Sequence, residues 1–511
     1  MIRSTNEQAS WSAPRAVAAI EAQPERNQTL ITRIGSASLQ LAACNAVVRL
    51  LSLISMPILT HLLAPQAYGT AAMVGTIMSL VSVIALAGMD MSYVRAYQDT
   101  SILASSNVEA FAWRYVLGSG FLAACILGLA WPLIAHVFLL PEYLGAVVAL
   151  GTILSLVSTM TQARARLNSR YRAMSLSILV AGAAGTAISL GVAQWWHQTE
   201  LPLVLAVLTG YLVPVLILGS PPVVRLFHFS GLSATERWHV LSIGLAGMIT
   251  APIYWVMSSL DRWFLGFFTD AATVGIYSMG YSVAIMGMMV NTAILSVWTP
   301  ETAKEFQQNP ERAQWVLGKI AERLIAGFAC VWLAVTAGGG DVIRMLASSS
   351  FHEAASIVPA IAAAVMFHGV VHVANATFLL MKRLNLTLWF WSFGALISIA
   401  LNLILIPLWG MRGAAIAQVT SFCLLAVGMV LGAQWLYPLK AEWRRLSYVL
   451  TGIIVAGFFM FPSWHKASYV SLLLKLPVGV MVVVVVAFST SPELLRMAVQ
   501  KIQGSMLGEK R

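Results

Sequence analysis

The chain has 511 residues, of which 59% are hydrophobic and only 10% are charged, and its formal net charge is +11. Soluble globular proteins carry about 25% charged residues, so a chain this apolar is predicted to be an integral membrane protein. The four cysteines lie in apolar stretches and form no Cys-x-x-Cys pair, which argues against a disulfide framework or a cysteine metal site.

The N-terminal 33 residues are polar and lack the early apolar core of a secretory signal. Beyond them the sequence contains segments of about 20 mainly apolar residues, the length that a transmembrane helix needs. Because backbone groups must be hydrogen-bonded in lipid, the segments are predicted to be helices. The 14 predicted spans lie at about 36–60, 70–94, 112–138, 143–163, 173–194, 201–220, 240–268, 275–299, 316–338, 355–380, 386–406, 410–435, 447–462 and 467–488.

This series predicts an all-α polytopic membrane protein with two six-helix lobes around a central cavity. "LTHLLAPQAYGTAAM" (59–73) and "LGFFTDAATVGIYSM" (265–279) occupy the same place after the first helix of each half, so Gly69 and Gly275 correspond. A duplicated six-helix unit is a common transporter plan. The predicted regions are a flexible cytoplasmic tail (1–35), the N-terminal lobe (36–220), a basic cytoplasmic connector (221–239), the C-terminal lobe (240–436), an extra helix pair (437–490) and a cytoplasmic tail (491–511).

Lysine and arginine set the predicted orientation. With the N-terminus in the cytoplasm, most of the 31 basic residues fall in inner loops and tails, as the positive-inside rule requires. Both termini are therefore predicted to be cytoplasmic. The positive net charge is a topology signal and does not indicate nucleic-acid binding, because no basic soluble domain is present.

Charged side chains inside the spans are the strongest functional signal. A charge near the middle of a bilayer costs about 2.5–3.5 kcal/mol on insertion scales, so it is expected to face a partner or a wet cavity. Asp261 and Arg262 lie in the seventh span, and Arg49 lies about 20 Å into the first. Adjacent residues on a helix point about 100° apart, so Asp261 and Arg262 are not expected to face each other.

Polar stripes accompany these charges. Asn45 shares a stripe with Arg49, Tyr254 shares one with Asp261, and Tyr281 and Asn291 share one on the eighth span. Arginine binds phosphate through a bidentate fork, and aromatic faces and amides suit sugars. The pattern predicts a cavity more cationic than acidic that takes an anionic glycolipid. The predicted substrate-binding and translocation residues are Arg262, Arg49, Asp261, Asp90, Asn45, Tyr254, Tyr281 and Asn291.

Simpler interpretations exist for several of these residues. Arg49 or Arg262 could form a salt bridge to a neighbouring helix, through Asp261 or Asp90. His368 and His372 have the i, i+4 spacing of a metal pair, but no glutamate lies between them and no third ligand is evident. Hydrogen bonds between helices are the favoured use of the two histidines, and no metal is predicted.

Two further charges are expected to meet water. Lys475, in the last span, is expected to extend its ammonium to the outer surface. The longest predicted outer loop, about 338–354, contains Asp341, and its charges are expected to form a solvated surface.

Three stretches resemble a known family. "RLLSLISMPILTHLLAPQAYGTAAM" (49–73), followed by "LAGMDMSYVRAY" (86–97), resembles the opening of polysaccharide-biosynthesis membrane proteins. "SSLDRWFLGFFTDAATVGIYSMGY" (258–281) resembles the start of their second half, and "LNLILIPLWGMRGAAIAQVTS" (401–421) a later helix connection. These are the Wzx-type oligosaccharide flippases of the superfamily that includes the multidrug and toxin extrusion (MATE) transporters and the lipid II flippases. The resemblance covers about 34–435.

The resemblance implies a function that the residues alone do not give. It implies a flippase in the bacterial cytoplasmic (inner) membrane that moves undecaprenyl-diphosphate-linked oligosaccharide units to the outer leaflet by alternating access. The product would serve O-antigen, capsule or exopolysaccharide assembly, with membrane lipids, a polysaccharide polymerase and glycosyltransferases as partners. The family motif carries over Asp261 and Arg262, and also Arg49 and Asp90. Fourteen spans exceed the twelve of the shorter members.

The energy source and two other functions stay open. No cofactor is expected, and proton or sodium coupling through Asp261 or consumption of the product outside could drive transport. A MATE-type drug or cation antiporter would need an acid exposed to the cavity, for which Asp261 is the candidate. A membrane glycosyltransferase or polymerase is less favoured, because no large outer loop is available to form its site. No nucleotide-binding motif is present.

Overall fold

The computed structural model describes residues 24–98, 105–196, 199–219, 231–248, 250–465 and 467–490. Within these ranges the chain is helical and forms no strand. The helices are α1 (Pro24–Leu62), α2 (Pro65–Leu86), α3 (Met89–Gln98), α4 (Ser105–Phe138), α5 (Leu144–Leu167), α6 (Tyr171–Ala193), α7 (Leu201–Leu218), α8 (Ala234–Met248), α9 (Thr250–Phe268), α10 (Ala271–Ala284), α11 (Gly287–Gln308), α12 (Pro310–Leu346), α13 (Val358–Leu380), α14 (Leu384–Leu436), α15 (Trp443–Met460) and α16 (Ser468–Thr490), with a 3-10 helix at Ser349–Ser356.

The prediction of an all-α polytopic membrane protein is confirmed. In the described ranges ten helical segments are long and apolar enough to cross a bilayer, or eleven if α10 and α11, bent by 46°, form one span. The count of 14 is not confirmed. Most of the predicted tails and part of the connector (1–23, 220–230 and 491–511) lie outside the described residues, and residues 24–35 begin α1.

Helix α14 contains two of the predicted spans. Its 53 residues would extend about 80 Å at ~1.5 Å per residue, far more than the ~30 Å hydrocarbon core. The chain reverses at Gly410, where φ is 55° and ψ is −132°, a conformation that favours glycine. Gly394 packs against Leu425, and Gly432 packs against Phe390, so the two halves of α14 lie antiparallel.

The two halves of the chain touch through the glycines that the internal repeat pairs. A Cβ atom added to Gly69 would lie 1.7 Å from the carbonyl oxygen of Ala271, and one added to Gly275 would lie 1.8 Å from that of Pro65. The contact is reciprocal, because each glycine meets the residue four positions before the other. We call it the glycine contact. Here α2 and α10 approach more closely than any side chain would allow.

Other contacts surround the glycine contact at the predicted outer end. The rings of Tyr68 and Phe351 meet edge-to-face with centroids 5.1 Å apart, and the Ser348 amide donates to the Thr60 hydroxyl at 3.2 Å. An apolar core that includes Met73 and Phe351 crosses from one half to the other. The two halves are therefore closed against each other at this end.

Helices α8 and α9 of the second half also pack against α2 and the turn that leads to α3. The indole N–H groups of Trp255 and Trp263 donate to the backbone oxygen and the hydroxyl of Thr76, at 3.2 and 2.9 Å. Between α2 and α3 the chain turns through Gly88 (φ 69°), and a Cβ there would lie 2.2 Å from the carbonyl oxygen of Gly244. The first half thus packs on the start of the second half at both ends of α2.

The last two helices pack on α12, and a buried ion pair joins α16 to it. The Lys475 ammonium lies 2.6 Å from the Asp341 carboxylate and 3.0 Å from the carbonyl oxygen of Ala337. The hydroxyls of Ser463 and Ser471 also donate to Asp341, at 2.8 and 3.0 Å. Lys475 is 2% exposed and Asp341 is 1% exposed.

Two expectations about these charges were wrong. Lys475 does not reach the outer surface, and Asp341 does not lie in a solvated loop. Helix α12 continues to Leu346, so residues 338–346 are helical. Each charge is buried because the other charge satisfies it, and Arg344 lies 3.6 Å from the same carboxylate.

Candidate functional site

A cavity of about 270 Å³ lies between α1, α2, α6, α7 and α10, and Arg49 is its charged residue. Arg49, Ser52 and Met56 all line it, because residues three and seven positions apart share a helix face. The other polar lining residues carry hydroxyls: Ser52, Ser55, Tyr68, Thr186, Ser189 and Ser282. Both halves of the chain contribute, since α1, α6 and α7 belong to the first half and α10 to the second.

Arg49 is exposed, and no described residue forms a hydrogen bond or an ion pair with it. A guanidinium stays protonated at all ordinary pH values and offers five N–H donors in a planar fork. No carboxylate is among the residues that line the cavity. In a surrounding of low dielectric such a cation attracts an anion with acceptor oxygens, and a phosphate matches the fork geometrically.

Asp261 and Arg262 form a second, separate cluster. An Arg262 Nη1 lies 3.4 Å from Asp261 Oδ1 and donates to the Ser258 carbonyl oxygen at 3.1 Å. The guanidinium carbon stands 4.2 Å from the centre of the Tyr281 ring, which is a cation–π contact. The Tyr277 hydroxyl donates to the other Asp261 oxygen at 2.5 Å.

The expectation that Asp261 and Arg262 do not face each other was wrong. The 100° rule describes where the Cβ atoms point, and the long arginine side chain turns back along α9 to reach both Asp261 and Ser258. The salt-bridge interpretation of Arg262 therefore describes this structure.

The cluster is buried and does not line the Arg49 cavity. Asp261 is 3% exposed and Arg262 is 7% exposed. The Gln418 side-chain amide on α14 lies 3.1 Å from the Tyr277 hydroxyl. The Gln418 atom is the amide oxygen Oε1, an acceptor, so the single Tyr277 hydroxyl proton faces two acceptors, Gln418 Oε1 and the closer Asp261 Oδ2. The structure thus keeps the two deep arginines apart: Arg49 faces a cavity, and Arg262 is compensated by a carboxylate.

The other polar candidates of the first half lie outside the cavity lining. Asn45 is exposed, and its amide donates to the Leu41 carbonyl oxygen of its own helix at 2.9 Å. Asp90 lies on α3 and stands 3.9 Å from Arg166 on α5. Neither residue lines the Arg49 cavity: Asp90 follows the end of α2, and the Asn45 amide is satisfied within its own helix.

The candidates of the second half lie inside their own helix bundle. The Tyr254 ring is 5.5 Å from the His368 ring, and the Asn291 amide donates to the Val365 carbonyl oxygen at 2.7 Å. His368 and His372 place their Nε2 atoms 3.2 Å apart. No group of three or more His, Cys, Asp or Glu side chains suited to a metal is found in the described part of the chain.

Sequence reasoning missed five hydroxyl-bearing residues of the cavity: Ser55, Tyr68, Thr186, Ser189 and Ser282. Ser189 lies four residues after Gly185, where α6 packs closely on α7: a Cβ on Gly185 would lie 3.2 Å from the Ala206 carbonyl oxygen. No charge or motif marks Ser282. Hydroxyl residues are common in transmembrane helices, so only the fold shows which of them meet Arg49.

Comparison with known proteins identifies the family. The family model described as "Polysaccharide biosynthesis protein" matches residues 58–355, more than half of the chain. The chain belongs to this family. Among curated proteins none matches it.

Three solved structures share the fold of this polysaccharide biosynthesis protein. The lipid II flippase MurJ in an inward closed conformation is 12% identical, with a TM-score of 0.71 over 89% of this chain and 100% of that one. A MATE family transporter of the MOP superfamily, facing inward, is 13% identical, with a TM-score of 0.58 over 80% and 99%. A MOP superfamily transporter from Pyrococcus furiosus, titled for a binding pocket of reverse polarity, is 13% identical, with a TM-score of 0.54 over 82% and 96%.

These matches confirm the predicted family and the predicted MATE-like fold. The three neighbours are a flippase and two transporters, and none is an enzyme.

Proposed function

We propose that this protein is a flippase that moves undecaprenyl-diphosphate-linked oligosaccharide from the cytoplasmic to the outer leaflet by alternating access. The observation that carries the proposal is Arg49, an exposed arginine without a described partner in a cavity lined by both halves of the chain. The family supports a role in polysaccharide synthesis, and the fold is that of a lipid II flippase and of MATE transporters.

The cavity joins recognition to movement. Arg49 belongs to α1, whereas Ser282 belongs to α10, so a headgroup bound here touches both halves at once. The diphosphate would take the Arg49 fork, and the attached sugars would meet hydroxyls. A ligand shifts a conformational equilibrium only by its differential affinity for the two states. A substrate that contacts both halves loses some of those contacts when the halves rotate apart, so its affinity differs between the two conformations.

The Asp261 and Arg262 cluster has a supporting role in this proposal. Its two charges compensate each other, so Arg49 is the uncompensated deep cation of the described residues. A change in the distance between the two charges during transport would free Arg262 for the diphosphate. Coupling to protons or sodium through Asp261 stays a prediction.

The alternative of a cation antiporter has less support. An antiporter of lipophilic cations needs a carboxylate at its cavity, and no carboxylate lines the Arg49 cavity. The polymerase alternative needed a group of catalytic side chains in the predicted outer loop at 338–354, but Asp341 is buried and paired with Lys475. The polymer served, the partner enzymes, the inner-membrane location and the cytoplasmic termini belong to the proposal as the sequence predicts them.

The test uses purified protein in lipid vesicles that contain undecaprenyl-diphosphate with a labelled oligosaccharide. Exposure of the sugar to an external modifying enzyme reports flipping. We expect Arg49→Ala to abolish protein-dependent exposure and Arg49→Lys to retain part of it, because lysine keeps the charge but loses the fork. Arg312→Ala is the control, since Arg312 lies outside the cavity and pairs with Glu305.

Undiminished flipping by well-folded Arg49→Ala would remove Arg49 from the mechanism. Absence of flipping by the parent protein, with and without an imposed proton or sodium gradient, would reject the flippase proposal. Cation-dependent dye efflux in the same vesicles would then establish the antiporter.

A further inference from the structure

The hydroxyls around Arg49 have a common hydrogen-bond polarity. Four serines line the cavity, and each donates its proton to a carbonyl three or four residues earlier in its own helix: Ser52 to Val48 at 3.1 Å, Ser55 to Ser52 at 3.0 Å, Ser189 to Thr186 at 2.9 Å and Ser282 to Ser278 at 2.8 Å. A hydroxyl has one proton and two lone pairs. The serine oxygens therefore face the cavity as acceptors.

Donors are few by comparison. The Arg49 guanidinium is the strong donor of the lining, and the hydroxyls of Tyr68 and Thr186 are the others whose protons have no described acceptor. Ser52 and Ser282 are both exposed and lie on different halves of the chain. The cavity thus presents one cationic fork surrounded by acceptor oxygens.

This polarity selects the group that accompanies the anion. A phosphate has only acceptor oxygens at its ionised face, so Arg49 is its natural partner. A sugar hydroxyl can donate, so it can bind a serine oxygen. Ser52 lies three residues beyond Arg49, which is about 4.5 Å along the helix axis at ~1.5 Å per residue. A sugar directly attached to a phosphate at Arg49 is therefore the group that can reach Ser52.

We propose that the Arg49 cavity accepts a diphosphate flanked by a neutral, hydroxyl-bearing sugar and rejects a sugar that carries its own carboxylate next to the diphosphate. This inference rests on the proposed function and adds the chemistry of the substrate. The carboxylate oxygens would face serine oxygens that are also acceptors, and they would add a third negative charge to the two of the diphosphate in a cavity with one cation. An unpaired charge removed from water is costly, whereas hydroxyls bound to acceptors are not.

The size of the cavity limits what it can recognise. Its volume of about 270 Å³ lies just below the ~300–1,000 Å³ typical of pockets for drug-sized ligands. A whole oligosaccharide does not fit, so the remaining sugars lie beyond the lining and escape this selection. The discrimination therefore concerns the charge of the sugar beside the phosphate and is independent of the composition of the distal units.

The test compares two probes that differ at one carbon. Undecaprenyl-diphosphate carrying glucose and the same lipid carrying glucuronate are placed in separate vesicles with the purified protein at neutral pH. We expect the glucose probe to flip at least about tenfold faster, which corresponds to ~1.4 kcal/mol of discrimination. Ser282→Lys adds a second cation to the lining and should lower the ratio of the glucose rate to the glucuronate rate several-fold.

Ser52→Lys is the second variant and adds its charge from the other half of the chain. Equal rates for the two probes in the parent protein would overturn this inference and leave the flippase proposal intact. A ratio that neither lysine variant changes would also overturn it, because the discrimination would then arise elsewhere. If neither probe flips while the vesicles are sealed and the protein is folded, the proposed function itself fails.

Discussion

Substitution of Gly275 by alanine tests whether the glycine contact holds the two halves closed. The new Cβ would lie 1.8 Å from the Pro65 carbonyl oxygen, whereas ordinary van der Waals contacts begin at 3.4 Å, so α2 and α10 must separate by about 1.6 Å. Overpacking costs about 1–3 kcal/mol, and ~1.4 kcal/mol is a factor of ten in an equilibrium. The closed population should therefore fall roughly 5- to 140-fold relative to the open one.

Cross-linking measures this shift. Thr60→Cys and Ser348→Cys, placed where a hydrogen bond of 3.2 Å now joins the halves, should react efficiently with a short bis-thiol reagent once the four native cysteines are replaced by alanine. Adding Gly275→Ala should reduce the cross-link and slow flipping. Gly75→Ala is the matched control on α2, because a Cβ there meets nothing within 4 Å. Parental cross-linking and flipping in the Gly275→Ala protein would refute the reasoning.

Three further predictions concern stability and are measured by unfolding in detergent. Lys475→Met should lower the free energy of unfolding by about 3–5 kcal/mol because Asp341 loses its partner, and adding Asp341→Asn should recover much of that loss. If the effects of the two substitutions simply add, the pairing is contradicted. Tyr281→Leu should destabilise more than Tyr281→Phe, which keeps the aromatic face below Arg262; equal effects would mean that the cation–π contact contributes nothing. Gly410→Ala should lower the free energy of unfolding by about 1–3 kcal/mol through backbone strain alone, since nothing lies within 4 Å of the new methyl group; an unchanged midpoint would show that the turn relaxes.

Features that repeat along the chain could be predicted from the sequence. Long apolar segments predicted the helices, because lipid offers the backbone no other hydrogen-bond partner. The weak repeat that aligned Gly69 with Gly275 identified corresponding positions, and a two-fold arrangement brings corresponding positions together on its axis. Arg49 was recognised from its depth in the first span, and it does line a cavity.

Features that depend on distant partners could not be predicted. Lys475 and Asp341 are 134 residues apart, and each was interpreted alone against water or lipid, without the other. The contact of Arg262 with Asp261 depends on side-chain torsions that a helical wheel omits. Ser189 of α6 and Ser282 of α10 line the same cavity as Arg49 only because the fold brings their helices together, which no local pattern encodes.

The buried pair of Lys475 and Asp341 also bears on how the protein is made. Of the described helices, α16 emerges from the ribosome last, and a lone lysine at the centre of a helix resists insertion by about 2.5–3.5 kcal/mol. Once α12 lies beside α16, Asp341 supplies the missing counter-charge. Insertion of α16 therefore depends on a helix that was synthesised more than a hundred residues earlier. A nascent chain cut short before α15 would lack the Lys475 ammonium, and Arg344 of the same helix would be the counter-charge left to Asp341.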